Sequence, residues 1–131
     1  MSRDRGIESE PTMTEALIIE RSGEFPFQPV LALTGPLTAA TGAVFQNAMR
    51  REAPADTLII DLSEVPYVDS SGLGLLVTAY VTREKAGRKM VLCGVNQRVQ
   101  RLLEVTRTLN LFLIFSTPEE AISALASAGM A

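Results

Sequence analysis

Short apolar runs alternate with segments of helical period along this chain, and that alternation limits its fold more than any other feature. Val30-Leu31-Ala32-Leu33-Thr34 precedes a segment capped by Thr38 and running to about Glu52, and Leu58-Ile59-Ile60-Asp61-Leu62 precedes one from Ser70 to Ala86. Lys89 to Cys93 precedes about Gln97 to Thr106, and Leu111 to Phe115 precedes Pro118 to about Ala126. Brief apolar runs bounded by turn residues read as buried strands, while apolar positions such as Leu73, Leu76/Val77 and Tyr80/Val81 recur at helical spacing. Four strand-then-helix units in succession predict a mostly parallel sheet with right-handed crossovers. Ala16 to Glu20 adds a strand that can pair antiparallel at one side. The fold class is α/β, a single domain with a mostly parallel sheet of about five strands and about four helices.

Turn residues mark the joints. Gly23, Pro26 and Pro29 make Arg21 to Pro29 a turn, Gly35-Pro36 stops the second strand, Ala53-Pro54 closes the first helix and Gly87 the second. The first helix is expected to carry Ala40, Val44 and Ala48 on one face. Thr117 as cap, Pro118 at the first helical position and Glu119 and Glu120 in the first turn begin the last helix, where the dipole favours negative charge. Residues 1–14 read as a flexible tail, 15–127 as the domain and 128–131 as a C-terminal tail. Met13 is an alternative start of the folded part.

A chain of 131 residues can bury a core without disulfides or metal. With no His and a single Cys93, neither a zinc site of the usual ligands nor an internal disulfide can be assembled, and no cofactor is expected. The net charge of −3 argues against nucleic acid, whose polyanionic backbone rewards basic surfaces. The polar N-terminus lacks a secretory core segment, and no apolar window approaches the roughly 20 residues that span a bilayer. A cytoplasmic protein without membrane insertion is expected. Cys93 reads as a small buried side chain, and Arg83, Lys85, Arg88 and Lys89 as solvated charges at a helix end first and contact residues second.

In open α/β folds functional groups collect beyond the carboxyl ends of strands, here the loops after Thr34, Asp61, Gly94 and Ser116. No Gly-Lys pair exists for a phosphate-cradling loop, and Gly72-Leu73-Gly74 lacks the third glycine of a dinucleotide fingerprint. A serine hydrolase needs a histidine base. Asp61 at a strand end invites comparison with a phosphoacceptor aspartate, but the acidic pair and lysine of a receiver domain are replaced by Thr34-Gly35-Pro36 and Ser116-Thr117-Pro118. Asp61, Glu64 and Asp69 as catalytic carboxylates compete with the simpler reading of solvated or structural charges.

Pro66-Tyr67-Val68-Asp69-Ser70-Ser71-Gly72-Leu73-Gly74 then stands out, because two hydroxyls follow a carboxylate where a helix begins. A phosphate on that first turn would meet unpaired backbone donors and the positive end of the dipole, changing the surface rather than the fold. Asp69 or Ser70 acting only as a helix cap is the competing reading.

The string Val68 to Gly74, following Ile59-Ile60-Asp61-Leu62, resembles the STAS domain family and specifically bacterial anti-sigma factor antagonists. The resemblance runs from about Leu17 to Leu125. It implies a non-enzymatic switch. The unmodified protein binds an anti-sigma factor that is also a serine kinase, freeing the sigma factor, and phosphorylation of the loop serine ends binding until a phosphatase restores it. By motif position the acceptor is Ser70. Asp69, Ser71, Gly72, Gly74 and Thr38 would accompany it in partner binding, the two glycines by permitting close approach of the kinase. Leu73 splits between core and contact, and Asp61 would hold the loop. Family members often read Gly-Glu-Leu-Asp where this chain has Gly35-Pro36-Leu37-Thr38, so Thr38 keeps a capping oxygen while the acid is missing. A constitutive interaction subunit of a lipid-transport or stress-sensing complex, and a phosphotransfer protein using Asp61, are the alternatives.

Overall fold

The computed structural model describes residues 16–23 and 27–127. Both expected tails and the centre of the Arg21 to Pro29 turn lie outside the described residues. The sheet consists of β1 (Ile18–Ser22), β2 (Val30–Thr34), β3 (Thr57–Glu64), β4 (Lys89–Cys93) and β5 (Leu113–Phe115), in spatial order of sequence. β1 pairs antiparallel with β2, from Ile18 opposite Thr34 to Ser22 opposite Val30, and every later pair is parallel. The helices are α1 (Gly42–Arg51), α2 (Ser70–Lys85), α3 (Gln97–Val105) and α4 (Pro118–Ser127).

The alternation of side chains along each strand divides the interior in two. Leu31 and Leu33 of β2, Leu58, Ile60 and Leu62 of β3, and Met90 and Leu92 of β4 face one side. There they meet Phe45 and Ala48 of α1, Leu76 and Ala79 of α2, and Val99 and Leu103 of α3. Val30, Ile59, Val91 and Cys93 face the other side, against Ala121 and Leu125 of α4. Three helices therefore cover one face and one covers the other, which is why Leu58, Ile59 and Ile60 of β3 are apolar in succession.

Local chemistry sets the ends of the elements. Thr38 and Thr41 form a reciprocal cap: the Ala40 N–H donates to Thr38 Oγ1 (3.2 Å) and the Thr38 N–H to Thr41 Oγ1 (3.0 Å). One 3-10 turn, Ala39–Thr41, intervenes before α1. That turn moves the buried stripe off Ala40 and Val44 while keeping Ala48 in it. Ala40 and Val44 are exposed, and Thr41, Gly42, Phe45 and Ala48 are buried. At the end of α2 the Gly87 N–H donates to the Glu84 carbonyl and the Arg88 N–H to the Arg83 carbonyl, with Gly87 at φ +74°. This left-handed closure favours glycine.

Three further expectations are corrected. β3 continues through Asp61 to Glu64, so Asp61 sits inside a strand, opposite Ala32 and Cys93, instead of at its end. The expected strand Leu111 to Phe115 splits into a 3-10 turn, Leu109–Leu111, and β5, because the Leu111 N–H closes a turn on the Thr108 carbonyl. Phe112 there meets Tyr80 edge-on, with ring centroids 5.4 Å apart. Arg83 is buried rather than solvated: its guanidinium donates to the carbonyls of Lys89 (2.8 Å), Glu52 (3.1 Å) and Ala55. Desolvation lowers its pKa, but the three carbonyls keep it paired.

Candidate functional site

The loop between β3 and α2 is tied along its backbone to Leu37. Val68 forms a parallel bridge with Leu37, the Leu37 N–H donates to the Tyr67 carbonyl (3.2 Å), and the Asp69 N–H returns a bond to the Leu37 carbonyl (3.2 Å). Asp69 is the N-cap of α2. Its Oδ1 accepts from the Gly72 N–H at 2.8 Å, and its Oδ2 from the Ala39 N–H at 3.4 Å. One carboxylate thus satisfies an unpaired helix donor and ties the loop to the segment before α1.

Ser70 and Ser71, the first residues of α2, are both exposed, and the Ser70 hydroxyl makes no hydrogen bond among the described residues. A small hydroxyl is thereby presented at a helix N-terminus, where added negative charge is tolerated. Gly72 is buried, and a Cβ there would stand 2.0 Å from the Leu37 carbonyl oxygen. Its missing side chain serves the approach of the chain's own β2–α1 loop. Gly74 is exposed with nothing within 4 Å of an added Cβ, so its surface is open. Thr38 is 8% exposed and its hydroxyl is engaged in capping. Thr38 and Gly72 therefore shape this surface from beneath, while Ser70, Ser71 and Gly74 form it.

Leu73 is half-buried against the larger core. Asp61 Oδ1 accepts from the Ser63 N–H at 3.0 Å, a local bond within β3. Asn96 is a residue whose role the sequence did not reveal. Its side-chain amide donates to the carbonyls of Val65 (2.9 Å) and Pro66 (3.4 Å), while its Oδ1 caps α3 through the Val99 N–H (2.8 Å). An Asn before a helix signals a cap, but its reach to a loop 30 residues away has no sequence signature. Arg98 stands over the Tyr67 ring, 5.1 Å from its centroid. Among the described residues no cluster of His, Cys, Asp and Glu could hold a metal, and no helix is long and apolar enough to cross a membrane.

A five-stranded, mostly parallel sheet with three helices on one face and one on the other, and a serine-bearing helix start beyond β3, defines a single α/β domain. The STAS domain family model matches residues 17–121, and the chain belongs to that family. It is 45% identical over 76 residues to an anti-sigma-B factor antagonist of Listeria monocytogenes, covering 56% of this chain and 67% of the relative. It is also 36% identical over 78 residues to the intermembrane phospholipid transport system binding protein MlaB of Escherichia coli, covering 55% of this chain and 80% of that protein. The crystal structure of an anti-sigma factor antagonist from Mycobacterium paratuberculosis superposes with a TM-score of 0.74 at 20% identity, over 86% of this chain and 96% of that one. At that identity the likeness concerns the fold.

Proposed function

We propose that this protein is an anti-sigma factor antagonist that works as a phosphorylation-controlled binding switch. The unmodified chain binds an anti-sigma factor with serine kinase activity and frees the sigma factor. Phosphate transferred from ATP to Ser70 ends the interaction, and a serine phosphatase reverses it. The observation that carries this reading is Ser70 itself: an exposed hydroxyl without a hydrogen-bond partner among the described residues, first in its helix, behind a carboxylate cap. Added phosphate would bring about 1.5 to 2 negative charges next to Asp69 and alter what a partner meets without dismantling the loop. The likeness to the Listeria antagonist supports the same reading.

A constitutive interaction subunit is the second reading, favoured by the likeness to MlaB and by Thr38, whose buried hydroxyl is taken up in capping and offers no carboxylate beside Ser70. Incubation with the organism's anti-sigma kinase and ATP, followed by intact mass and site mapping, separates the two. Phosphate on Ser70 supports the switch, and an unmodified chain supports the constitutive subunit. Acid-labile phosphate on Asp61 would overturn both.

A further inference from the structure

A groove of about 320 Å³ lies between helices α1 and α2 on the three-helix face. Neither Ser70 nor any other residue of the loop before α2 lines it. Its walls are apolar, formed by Phe45 and Met49 of α1 and Leu75 and Ala79 of α2, and its size falls at the lower end of small-ligand pockets.

The charge around it is one-sided. Arg50, Arg83 and Arg88 line the groove and no Asp or Glu does, in a chain whose net charge is −3. Arg50 closes α1, and Arg83 and Arg88 lie at and just beyond the end of α2, so the three cations gather at one end of the groove. Arg83 is 6% exposed and turned inward onto carbonyls, with no carboxylate at ion-pair distance among the described residues. The nearby Glu52 carboxylate is engaged by Arg21 at 2.8 Å. Arg88 reaches the Asp56 carboxylate at 3.3 Å, but that side chain is 75% exposed and the pair is screened by water. An apolar trough flanked at one end by Arg50, held among the described residues only by the neutral Asn47 amide oxygen, and by Arg88, whose carboxylate partner is exposed, is complementary to a molecule with an apolar body and one anionic head.

We infer that the α1–α2 groove binds a medium-chain fatty acid. Its acyl chain lies along Phe45, Met49, Leu75 and Ala79, and its carboxylate meets Arg50 and Arg88, whose forked donors suit a carboxylate. This site is separate from the Ser70 loop and does not depend on the switch proposed above.

The test is an NMR titration of the full chain, labelled with nitrogen-15, with sodium decanoate below its micelle concentration; 1-decanol and acetate serve as controls. Saturable shifts confined to amides 45–53 and 75–88 are expected with decanoate. Arg50→Gln, a change at an exposed position, is expected to weaken binding about tenfold, the loss of one charge-assisted contact. Thr78→Trp, at an exposed position on the groove wall, is expected to block binding while leaving the remaining spectrum in place. Non-saturating or scattered shifts, equal binding of decanol, or undiminished binding by Arg50→Gln would overturn the inference. Binding of an acidic amphipathic peptide to these amides with no response to decanoate would overturn the choice of occupant.

Discussion

Gly72 lies so near Leu37 that a methyl group on its Cα would overlap the Leu37 carbonyl oxygen, at 2.0 Å. That carbonyl also accepts the Asp69 N–H, so it cannot retreat without losing the bond that ties the two loops together. Gly72→Ala is therefore expected to destabilise the fold by ~2 to 4 kcal/mol, as overpacking against backbone does. Gly74→Ala, two residues on in an exposed helical position, is expected to gain ~0.5 to 1 kcal/mol from helix propensity. Urea denaturation of both variants checks the contrast, and similar losses at the two positions would contradict it.

The switch itself rests on charge at Ser70. Ser70→Asp is expected to weaken binding of the anti-sigma kinase by at least tenfold, while Ser70→Ala, which preserves size and removes the acceptor, binds as the parent does. Calorimetric titration of the two variants decides it. Equal affinities would exclude charge-controlled binding.

Arg83 closes the far end of α2 onto three backbone carbonyls. Arg83→Met keeps much of the apolar stem but leaves the carbonyls of Lys89, Glu52 and Ala55 without this donor in a largely buried place. A loss of ~2 to 4 kcal/mol is expected. Arg88→Met, at the half-buried neighbour with an exposed ion pair, is expected to lose less than ~1 kcal/mol. Thermal unfolding of both variants measures the difference.

Cys93 is fully buried, its thiol donating to the Ile60 carbonyl at 3.7 Å, and burial first, then Asp61, pushes its pKa up to about 12. Because the folded pKa lies above the unfolded value of 9.0, the unfolded chain gives up the proton first as pH rises. The contribution to stability is complete below about pH 9 and is lost progressively between there and pH 12. Below pH 9 the thiol is expected to resist an aromatic disulfide reagent until the chain is unfolded. Rapid labelling of the native protein would contradict this.

The sheet could be read from sequence where local signals agreed. Val30–Thr34 and Lys89–Cys93 are apolar, short and bounded by Gly or Pro nearby, and both strands occupy the expected residues. The cap at Asp69 and the stop at Gly87 were equally legible, because they depend on bonds within a few residues. What stayed hidden depends on distant partners. A surface charge and the buried Arg83 look alike until the carbonyls of Glu52 and Ala55 are brought round by the β3 crossover. Gly72 resembled a concession to a visiting kinase because Leu37, 35 positions earlier, was not yet beside it. The split at Leu111 turns on a single turn bond at Thr108, below what an apolar run can signal.

The surface around Ser70 has no linear form. A peptide copied from residues 66–74 would carry the serines and the cap, but not Leu37, which pairs with the loop backbone, nor Asn96, which holds the carbonyls of Val65 and Pro66. The three segments meet only after β2, β3 and β4 are side by side. A kinase or antibody that reads this shape therefore reports on completion of the sheet as well as on the state of one hydroxyl, and short peptides are expected to be poor substitutes for the folded chain.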